Sequence, residues 1–267
     1  MSPFESPPAV LLCGGKGQRM GPATDEVPKP MLTVGGRPLL WHVMHVLGAA
    51  GGQEFVIALG HLGHVVKQFF LNFPAYAGDF RLRLGEGTPH WLPDFPEADW
   101  QVTCVDTGRE ASTGARLRDA ARFASRWPIL VAYGDVLADL DVAALVRCHR
   151  DHGRLATVTV ARPASRYGVV SMTADQRVVR FDEKLPAGPD WVSAGFFVLE
   201  REAVQRYIPV DRDVMFEEEP VARLVADGQL QAFVHDGFWQ PVDTPKDLAA
   251  VRAQWDSDQP PWQTWKA

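Results

Sequence analysis

The sequence has little cysteine, no long apolar run and no excess of basic residues, and each shortage excludes a class of protein. The three cysteines of this 267-residue chain, Cys13, Cys104 and Cys148, are odd in number and far apart, which argues against a disulfide framework. No apolar run approaches the ~18 residues of a membrane span. A net charge of −6 argues against nucleic-acid polymers and anionic membranes as partners. The opening stretch MSPFESPP lacks the basic segment of a secretory signal, so we expect a cytoplasmic protein.

Two familiar phosphate-binding motifs are also missing, although a glycine-rich loop follows the first apolar run. Residues 9–31 read AVLLCGGKGQRMGPATDEVPKPM. A dinucleotide-binding G-x-G-x-x-G fails because Met20 stands where the third glycine belongs, and a P-loop fails because Lys16 is followed by Gly17. A Rossmann dehydrogenase is disfavoured for the same reason and because no acidic residue follows at the expected spacing.

The loop nevertheless has the chemistry of an anion site. Glycines directly after a strand let backbone N–H groups approach an anion closely. Arg19 offers a fork that fits phosphate oxygens, and Lys29 lies between two prolines that stiffen its backbone. The alternative interpretation is a flexible connection with solvated cations.

Strand-like and helix-like stretches alternate through the first two-thirds of the chain, which predicts parallel βαβ units. The predicted strands are residues 9–13, 55–59, 102–105 and 129–133, and the predicted helices are residues 38–50, 64–73, 115–124 and 142–151. Later strands, predicted at residues 156–160, 168–172, 178–181, 192–199 and 230–235, come closer together and suggest mixed or antiparallel additions to the same sheet. We therefore expect a single Rossmann-like α/β domain over residues 1–267, with a mixed, mainly parallel sheet flanked by helices. Residues 74–100 are expected to form an extended excursion, either a lid or an oligomer contact.

Two carboxylates are candidates for binding a hard metal ion. Asp135 emerges just past the predicted strand at residues 129–133, where ligands bind in sheets of this kind. Thr244, Pro245 and Asp247 have the pattern of a helix start, which leaves Asp243 free of the cap. Mg²⁺ is usually held by one or two carboxylates together with phosphate oxygens. A plain turn aspartate is the alternative for Asp135.

The remaining candidates suit a second anionic group and not covalent catalysis. Lys184 lies at a predicted strand end, or forms a surface pair with its glutamate neighbour, and VDTGREASTGARL is a Gly/Thr loop leading to Arg116. No G-x-S-x-G elbow is present, and the three His-x-x-His pairs lack the spacing of zinc sites. Cationic loops, two carboxylates and no nucleophile favour phosphoryl or nucleotidyl transfer.

These motifs resemble those of the sugar-1-phosphate nucleotidyltransferases, and within that family the subgroup that uses CTP and glucose 1-phosphate. The family glycine loop is matched by LCGGKGQRM and its P-K-P-M by residues 28–31. Narrower matches to the subgroup follow in family order over nearly the whole chain: GGRPLLWHVM, VDTG, TGARL, YGD, ADLD, GFFVL, GFWQPVDT and PPWQTW.

The resemblance implies a role for each matching position. Catalysis would involve Arg19, Lys29 and Asp135, and Mg²⁺ would bind Asp135 and Asp243. The nucleotide would be bound by Leu12, Gly14, Gly15, Gly17, Arg19, Thr107, Gly108 and Arg116. The sugar phosphate would be bound by Tyr133, Gly134, Lys184, Ser193 and Ala194. The resemblance also implies a homo-oligomer.

The chain departs from the subgroup mainly around the sugar. The phosphate and metal positions are kept, whereas several positions of the sugar pocket differ: Val136, Leu185, Ser193 and Ala194. The expected reaction is therefore CTP and a sugar 1-phosphate giving a CDP-sugar and pyrophosphate, with the acceptor less well defined than the chemistry. The alternatives are another nucleotide (UTP, dTTP or GTP), an acceptor other than glucose 1-phosphate, or a nucleotide-sugar-binding homologue without catalysis.

Overall fold

A mixed seven-stranded sheet, covered by helices on both faces, organises the computed structural model. The structure describes residues 6–92, 95–163, 169–173, 178–182, 191–257 and 259–265. Within these ranges, none of the helices combines the length and apolar character needed for a bilayer crossing.

The strands, in chain order, are Ala9–Cys13 (β1), Thr33–Val34 (β2), Arg37–Pro38 (β3), Glu54–Leu59 (β4), Phe80–Leu82 (β5), Pro89–Trp91 (β6), Gln101–Asp106 (β7), Ile129–Tyr133 (β8), Val136–Ala138 (β9), Ala156–Ala161 (β10), Val169–Met172 (β11), Val178–Asp182 (β12), Val192–Leu199 (β13), Leu230–Val234 (β14) and Trp239–Pro241 (β15). The α-helices are Leu39–Gly48 (α1), Gly63–Leu71 (α2), Phe73–Ala77 (α3), Thr113–Ala121 (α4), Val142–His152 (α5), Arg201–Tyr207 (α6), Glu219–Ala226 (α7) and Pro245–Trp255 (α8).

The main sheet runs in the order β14-β10-β13-β8-β1-β4-β7. All of its pairs are parallel except those that β13 makes with β10 and β8. The chain builds outward from β1 through β4 to β7 and then returns to place β8 on the other side of β1. The strand order therefore reverses beside β1, and this is where ligands bind in open α/β sheets.

Strand β1 shows why the sequence adopts this arrangement. All five of its residues are buried, because a central strand has both faces covered and needs a continuous apolar run. Its side chains alternate between the two cores: Leu11 belongs to the core that includes residues of α1 and α8, and Val10 to the core that includes residues of α4 and α6. The α/β fold predicted from the sequence is confirmed.

The sequence predictions differ from the structure mainly in the second half of the chain. The strands predicted at residues 156–160, 192–199 and 230–235 do join the main sheet, as β10, β13 and β14. The strands predicted at residues 168–172 and 178–181 do not, because they pair with each other as the separate hairpin β11–β12. Apolar alternation identifies a strand but not the partner to which it hydrogen-bonds.

Residues 74–100 contain more regular structure than the expected excursion. They include most of α3, the hairpin β5–β6 and a turn that ends at Trp100. Several large apolar side chains in and just before this segment are exposed: Leu71, Tyr76, Phe80, Leu82, Leu84 and Trp91. A role as a lid or an oligomer contact stays a prediction.

The same segment ends in a buried polar cluster beneath α1. The Glu97 carboxylate accepts hydrogen bonds from Trp41 at 2.8 Å and from His45 at 2.7 Å. Burial acts to raise the pKa of Glu97, but these hydrogen bonds outweigh it and the pKa lies below its ordinary value.

A second buried histidine, His42, is held in its neutral form. Its Nε2 bonds the carbonyl of Val34 at 3.0 Å, and its Nδ1 accepts a hydrogen bond from Trp262 Nε1 at 3.3 Å. Burial is the main reason that the pKa of His42 is lowered from 6.5 to about 4. A proton on Nδ1 would face the N–H of Trp262, so this arrangement of hydrogen bonds favours the neutral ring.

This shift predicts acid destabilisation. Because the folded pKa of His42 lies below the unfolded one, the unfolded chain takes up the proton first as the pH falls from 6.5 towards 4. Over that interval the free energy of unfolding should fall by up to ~3 kcal/mol. Chemical denaturation across this pH range measures it. His42→Gln should flatten the profile, and the exposed His64→Gln should keep the wild-type slope. An unchanged slope in His42→Gln would contradict the assignment.

Candidate active site

A cleft of about 640 Å³ opens at the carboxyl ends of β1 and β8. It is lined by residues from the opening loop, from the segment before α4, and from the ends of β8 and β15. The lining residues are Leu12, Cys13, Gly14, Gly15, Lys16, Gly17, Gln18, Arg19, Lys29, Pro30, Arg109, Glu110, Ala111, Ser112, Thr113, Arg116, Tyr133, Asp135, Met215 and Asp243.

Two glycines of the opening loop meet different local demands. Gly17 has a φ of +63°, and a Cβ added there would approach Thr24 and Lys29 at 3.1 and 3.2 Å, so the turn requires glycine. Among the described residues, an added Cβ at Gly15 would have no neighbour within 4 Å. Gly15 lines the cleft and is not crowded by these neighbours, which suits close approach of a ligand.

Lys29 is a buried cation in the centre of the cleft. It begins a short 3₁₀ turn, Lys29–Met31, between Pro28 and Pro30, and is only 8% exposed. Its ammonium lies 2.6 Å from Asp135 Oδ2 and 2.6 Å from Asp243 Oδ1. The two rigid prolines thus hold a positive charge between two carboxylates that are distant in sequence.

The pairing of two short strands brings these carboxylates together. Asp135 directly precedes β9 and Asp243 follows β15, and the antiparallel register sets Val136 opposite Pro241. The backbone reinforces this, because Val242 N donates to the carbonyl of Asp135 at 3.0 Å. The neighbouring ends of this ribbon therefore place both carboxylates at the same edge of the cleft.

The start of α8 is capped as the sequence predicted. Thr244 Oγ1 accepts a hydrogen bond from Asp247 N, and Asp247 Oδ2 accepts one from Thr244 N at 2.8 Å. The carboxylate of Asp243 takes no part in this capping box and points instead to Lys29 and Arg19.

Cations at the mouth of the cleft are more exposed. Arg19 bonds Asp243 at 2.9 Å, yet its side chain is 71% exposed. Lys16 of the opening loop bonds Glu110 at 2.7 Å across the entrance, and both side chains are largely in solvent. The Lys16–Glu110 pair is exposed on both sides and contributes little to stability, so it is easily exchanged for a charged ligand.

The donor set at the centre fits a hard divalent cation. Asp135 and Asp243 are close enough to share one ammonium, and Mg²⁺ is commonly bound by one or two carboxylates plus phosphate oxygens and water. Over the part of the chain that the structure describes, no group of three or more His, Cys, Asp or Glu side chains is arranged to hold a metal. A metal at this place would therefore need ligands from substrate or water.

The structure brings most of the predicted site residues into one cleft. Those that line it are Leu12, Gly14, Gly15, Gly17, Arg19, Lys29, Arg116, Tyr133, Asp135 and Asp243. The predicted residues that are described but do not line it are Thr107, Gly108, Gly134, Ser193 and Ala194. Lys184 lies outside the described residues. The binding roles of all these residues stay predictions.

The residues outside the lining have other partners in the fold. Thr107 is buried and donates to the carbonyl of Leu59 at 2.7 Å. Gly134 packs so closely that an added Cβ would lie 2.6 Å from the sulfur of Cys13. Ser193 is exposed at the start of β13, and the carbonyl of Ala194 accepts a hydrogen bond from Trp239 Nε1 at 2.9 Å.

Half of the cleft wall was not identified from the sequence as site residues. It comprises Cys13, Lys16, Gln18, Pro30, Arg109, Glu110, Ala111, Ser112, Thr113 and Met215. The loop before α4 is anchored by a distant segment, since the Asp213 carboxylate accepts from Ser112 N and Thr113 Oγ1 accepts from Phe216 N. The Gly/Thr loop VDTGREASTGARL, which contains residues 109–113, was the available signal for that part of the wall, whereas nothing in the sequence pointed to Met215.

Comparison with known proteins identifies the family. The pattern of the nucleotidyl transferase family matches residues 8–257. The chain is 37% identical to the glucose-1-phosphate cytidylyltransferase of Salmonella typhimurium, over 97% of this chain and 99% of that protein. It is 35% identical to a probable glucose-1-phosphate cytidylyltransferase of Bacillus subtilis, over 96% and 99%. It is 31% identical to the mannose-1-phosphate guanylyltransferase of Mycobacterium tuberculosis, over 90% of this chain and 62% of that protein.

Solved structures agree at the level of the fold. HddC from Yersinia pseudotuberculosis superimposes with a TM-score of 0.67 at 19% identity, over 93% of this chain and 99% of that one. A second structure of HddC, complexed with GMP-PN, gives a TM-score of 0.66. The chain belongs to the nucleotidyl transferase family, among its sugar-1-phosphate nucleotidyltransferases.

Proposed function

We propose that this chain transfers a cytidylyl group from CTP to a sugar 1-phosphate, forming a CDP-sugar and pyrophosphate. The observation that carries the proposal is the 35–37% identity to two glucose-1-phosphate cytidylyltransferase sequences, which the chain matches over almost their whole length. The guanylyltransferase relative is less similar, at 31%, and this chain spans 62% of it. The comparison therefore favours CTP over GTP, with UTP and dTTP as further alternatives.

The proposed reaction is a single in-line displacement. A phosphate oxygen of the sugar 1-phosphate attacks the α-phosphorus of CTP, and the bond from that phosphorus to the bridging oxygen breaks. Pyrophosphate leaves with the electron pair of this bond. The attacking phosphate is already ionised near neutral pH, so the reaction needs no general base, and catalysis depends on position and charge.

The cations of the cleft have distinct proposed roles. Lys29, held rigidly between two prolines, would stabilise negative charge that develops on the phosphates around the reacting phosphorus. Arg19, exposed at the mouth, would bind the phosphates of the incoming nucleotide. Mg²⁺, held by Asp135 and Asp243, would offset charge on the triphosphate and its leaving group.

A second candidate keeps this chemistry but changes the acceptor. Ser193 stands where the resemblance calls for asparagine, so one side-chain amide is missing near the expected sugar position. A pocket that loses such a group discriminates less well among sugars that differ in one hydroxyl. Glucose 1-phosphate remains the first acceptor to test, and other hexose, deoxyhexose and heptose 1-phosphates follow it.

A pyrophosphate-release screen tests the proposal. CTP, UTP, dTTP, ATP and GTP are each combined with a panel of sugar 1-phosphates. We expect CTP to give the highest kcat/KM with at least one acceptor, because the chain is more similar to the two cytidylyltransferase relatives than to the guanylyltransferase. Higher kcat/KM with another nucleotide would overturn the choice of CTP, and no release with any pair would overturn the proposed reaction.

Two lysines in the same cleft provide a matched comparison. Lys29→Ala should lower kcat/KM roughly a hundredfold or more, because it removes a preorganised charge at the reacting centre. Lys16→Ala removes a largely exposed lysine whose partner is Glu110, and we expect a change below about tenfold. Steady-state kinetics with the preferred substrates measures both. Equal effects would contradict the assignment of Lys29.

The proposed metal site is tested by neutralising each carboxylate. Asp135→Asn and Asp243→Asn should each abolish turnover and weaken binding of Mn²⁺ as a spectroscopic substitute, because each removes one charged ligand. Circular dichroism checks that the fold is intact. Near-normal Mn²⁺ binding or turnover in either variant would show that its carboxylate does not hold the metal.

A further inference from the structure

Arg116 lies in the wall of the cleft, but both terminal amino groups of its guanidinium are hydrogen-bonded to the protein itself. The residue sits in the first turns of α4 and is 4% exposed. Its Nη1 donates to the carbonyls of Leu59 and Gly108 at 2.9 and 2.7 Å and to Thr107 Oγ1 at 2.9 Å. Its Nη2 donates to the carbonyls of Gly14 and Arg109, each at 3.1 Å.

These acceptors lie at or just after the carboxyl ends of three neighbouring parallel strands. Gly14 follows β1, Leu59 ends β4, and the loop from Thr107 to Arg109 follows β7. One planar group therefore ties the opening glycine loop to the loop that leads into α4. Burial lowers the pKa of Arg116 from its ordinary value, and five neutral acceptors offset part of the cost of removing the charge from water.

Two glycines make room for this group. A Cβ added to Gly14 or to Gly60 would overlap the guanidinium of Arg116. Neither glycine has a positive φ, so backbone conformation does not explain them. Position 14 therefore requires glycine because its backbone packs directly on the guanidinium of Arg116. The surroundings of Gly15, in the same loop, are open by comparison.

We propose that Arg116 is a positioning residue, which sets the opening loop against the Thr107–Arg109 loop and supports nucleotide binding without touching the nucleotide. All four hydrogens of its terminal amino groups have acceptors within the protein, so a phosphate or base could reach them only by displacing a carbonyl. The part that concerns nucleotide binding rests on the proposed function, and the part that concerns the loops does not.

A double-mutant cycle tests the packing without any substrate. Gly14→Ala should lower the Tm by several degrees in the wild-type background and by much less in an Arg116→Ala background, because the overlap is gone. Gly15→Ala is the matched control and should change the Tm little in both backgrounds. If Arg116→Ala does not fold, Arg116→Leu, whose side chain ends before the position of Arg116 Nε, replaces it in the cycle. Additive effects of Gly14→Ala and the Arg116 variant on the Tm would contradict the proposed packing of Gly14 against the Arg116 guanidinium.

Isothermal titration separates positioning from contact. In Arg116→Lys, misplaced loops should weaken the binding of every nucleoside triphosphate that the wild type binds, and of cytidine itself, by a similar factor of about ten or more. A loss confined to CTP and cytidine would show contact with the base. A loss for triphosphates but not cytidine would show contact with phosphate. Either result would overturn the proposal. If the wild type binds no nucleotide, the proposed function fails. The double-mutant cycle measured by Tm would still test whether Arg116 holds the two loops together.

Discussion

The arrangement of the cleft depends on one ammonium held between two carboxylates. Lys29, Asp135 and Asp243 come from three distant parts of the chain, and their side chains are 10%, 23% and 19% exposed. Without the lysine, the β9–β15 ribbon would hold two carboxylates side by side in a partly desolvated place, and removing one partner of such a group is costly. Arg19 also pairs with Asp243, but its exposure makes it a weak counter-charge. Lys29 therefore compensates both carboxylates in the free protein.

The same contact constrains how the proposed reaction begins. Asp135 and Asp243 serve as partners of Lys29 in the free protein and as the proposed ligands of Mg²⁺. Bound nucleotide phosphates would offer the ammonium a new set of acceptors within the cleft, at the moment when the metal takes over the carboxylates. Substrate phosphates would thus compensate the ammonium of Lys29 while the metal compensates the two carboxylates. Binding of either one alone would leave the other charge without its partner.

The sequence predicted what depends on local pattern and missed what depends on distant contacts. Strand β1 and the cap at Thr244 follow from an apolar run and from a short polar motif, so both were predictable. The partner of β11 and the approach of Met215 to the cleft arise from pairing and packing across the fold, which no local window contains. Gly14 illustrates a subtler limit. Sequence identifies the glycine, but only the structure shows that the neighbour requiring it is an arginine more than a hundred residues away.

Two buried cations of the cleft have different roles: Arg116 fixes the shape of the loops, and Lys29 supplies charge at the centre. The guanidinium of Arg116 bonds four carbonyls and a hydroxyl, all uncharged, so its geometry fixes loops and its charge is spread over the backbone. Among the residues that the structure describes, the ammonium of Lys29 bonds two carboxylates that also face the cleft, so its charge can be redirected to a ligand. In the roles proposed here, neither group would contact a base or a sugar. Relatives that are named for cytidylyl and for guanylyl transfer can therefore share this centre, and selectivity for base and acceptor must come from the walls around it.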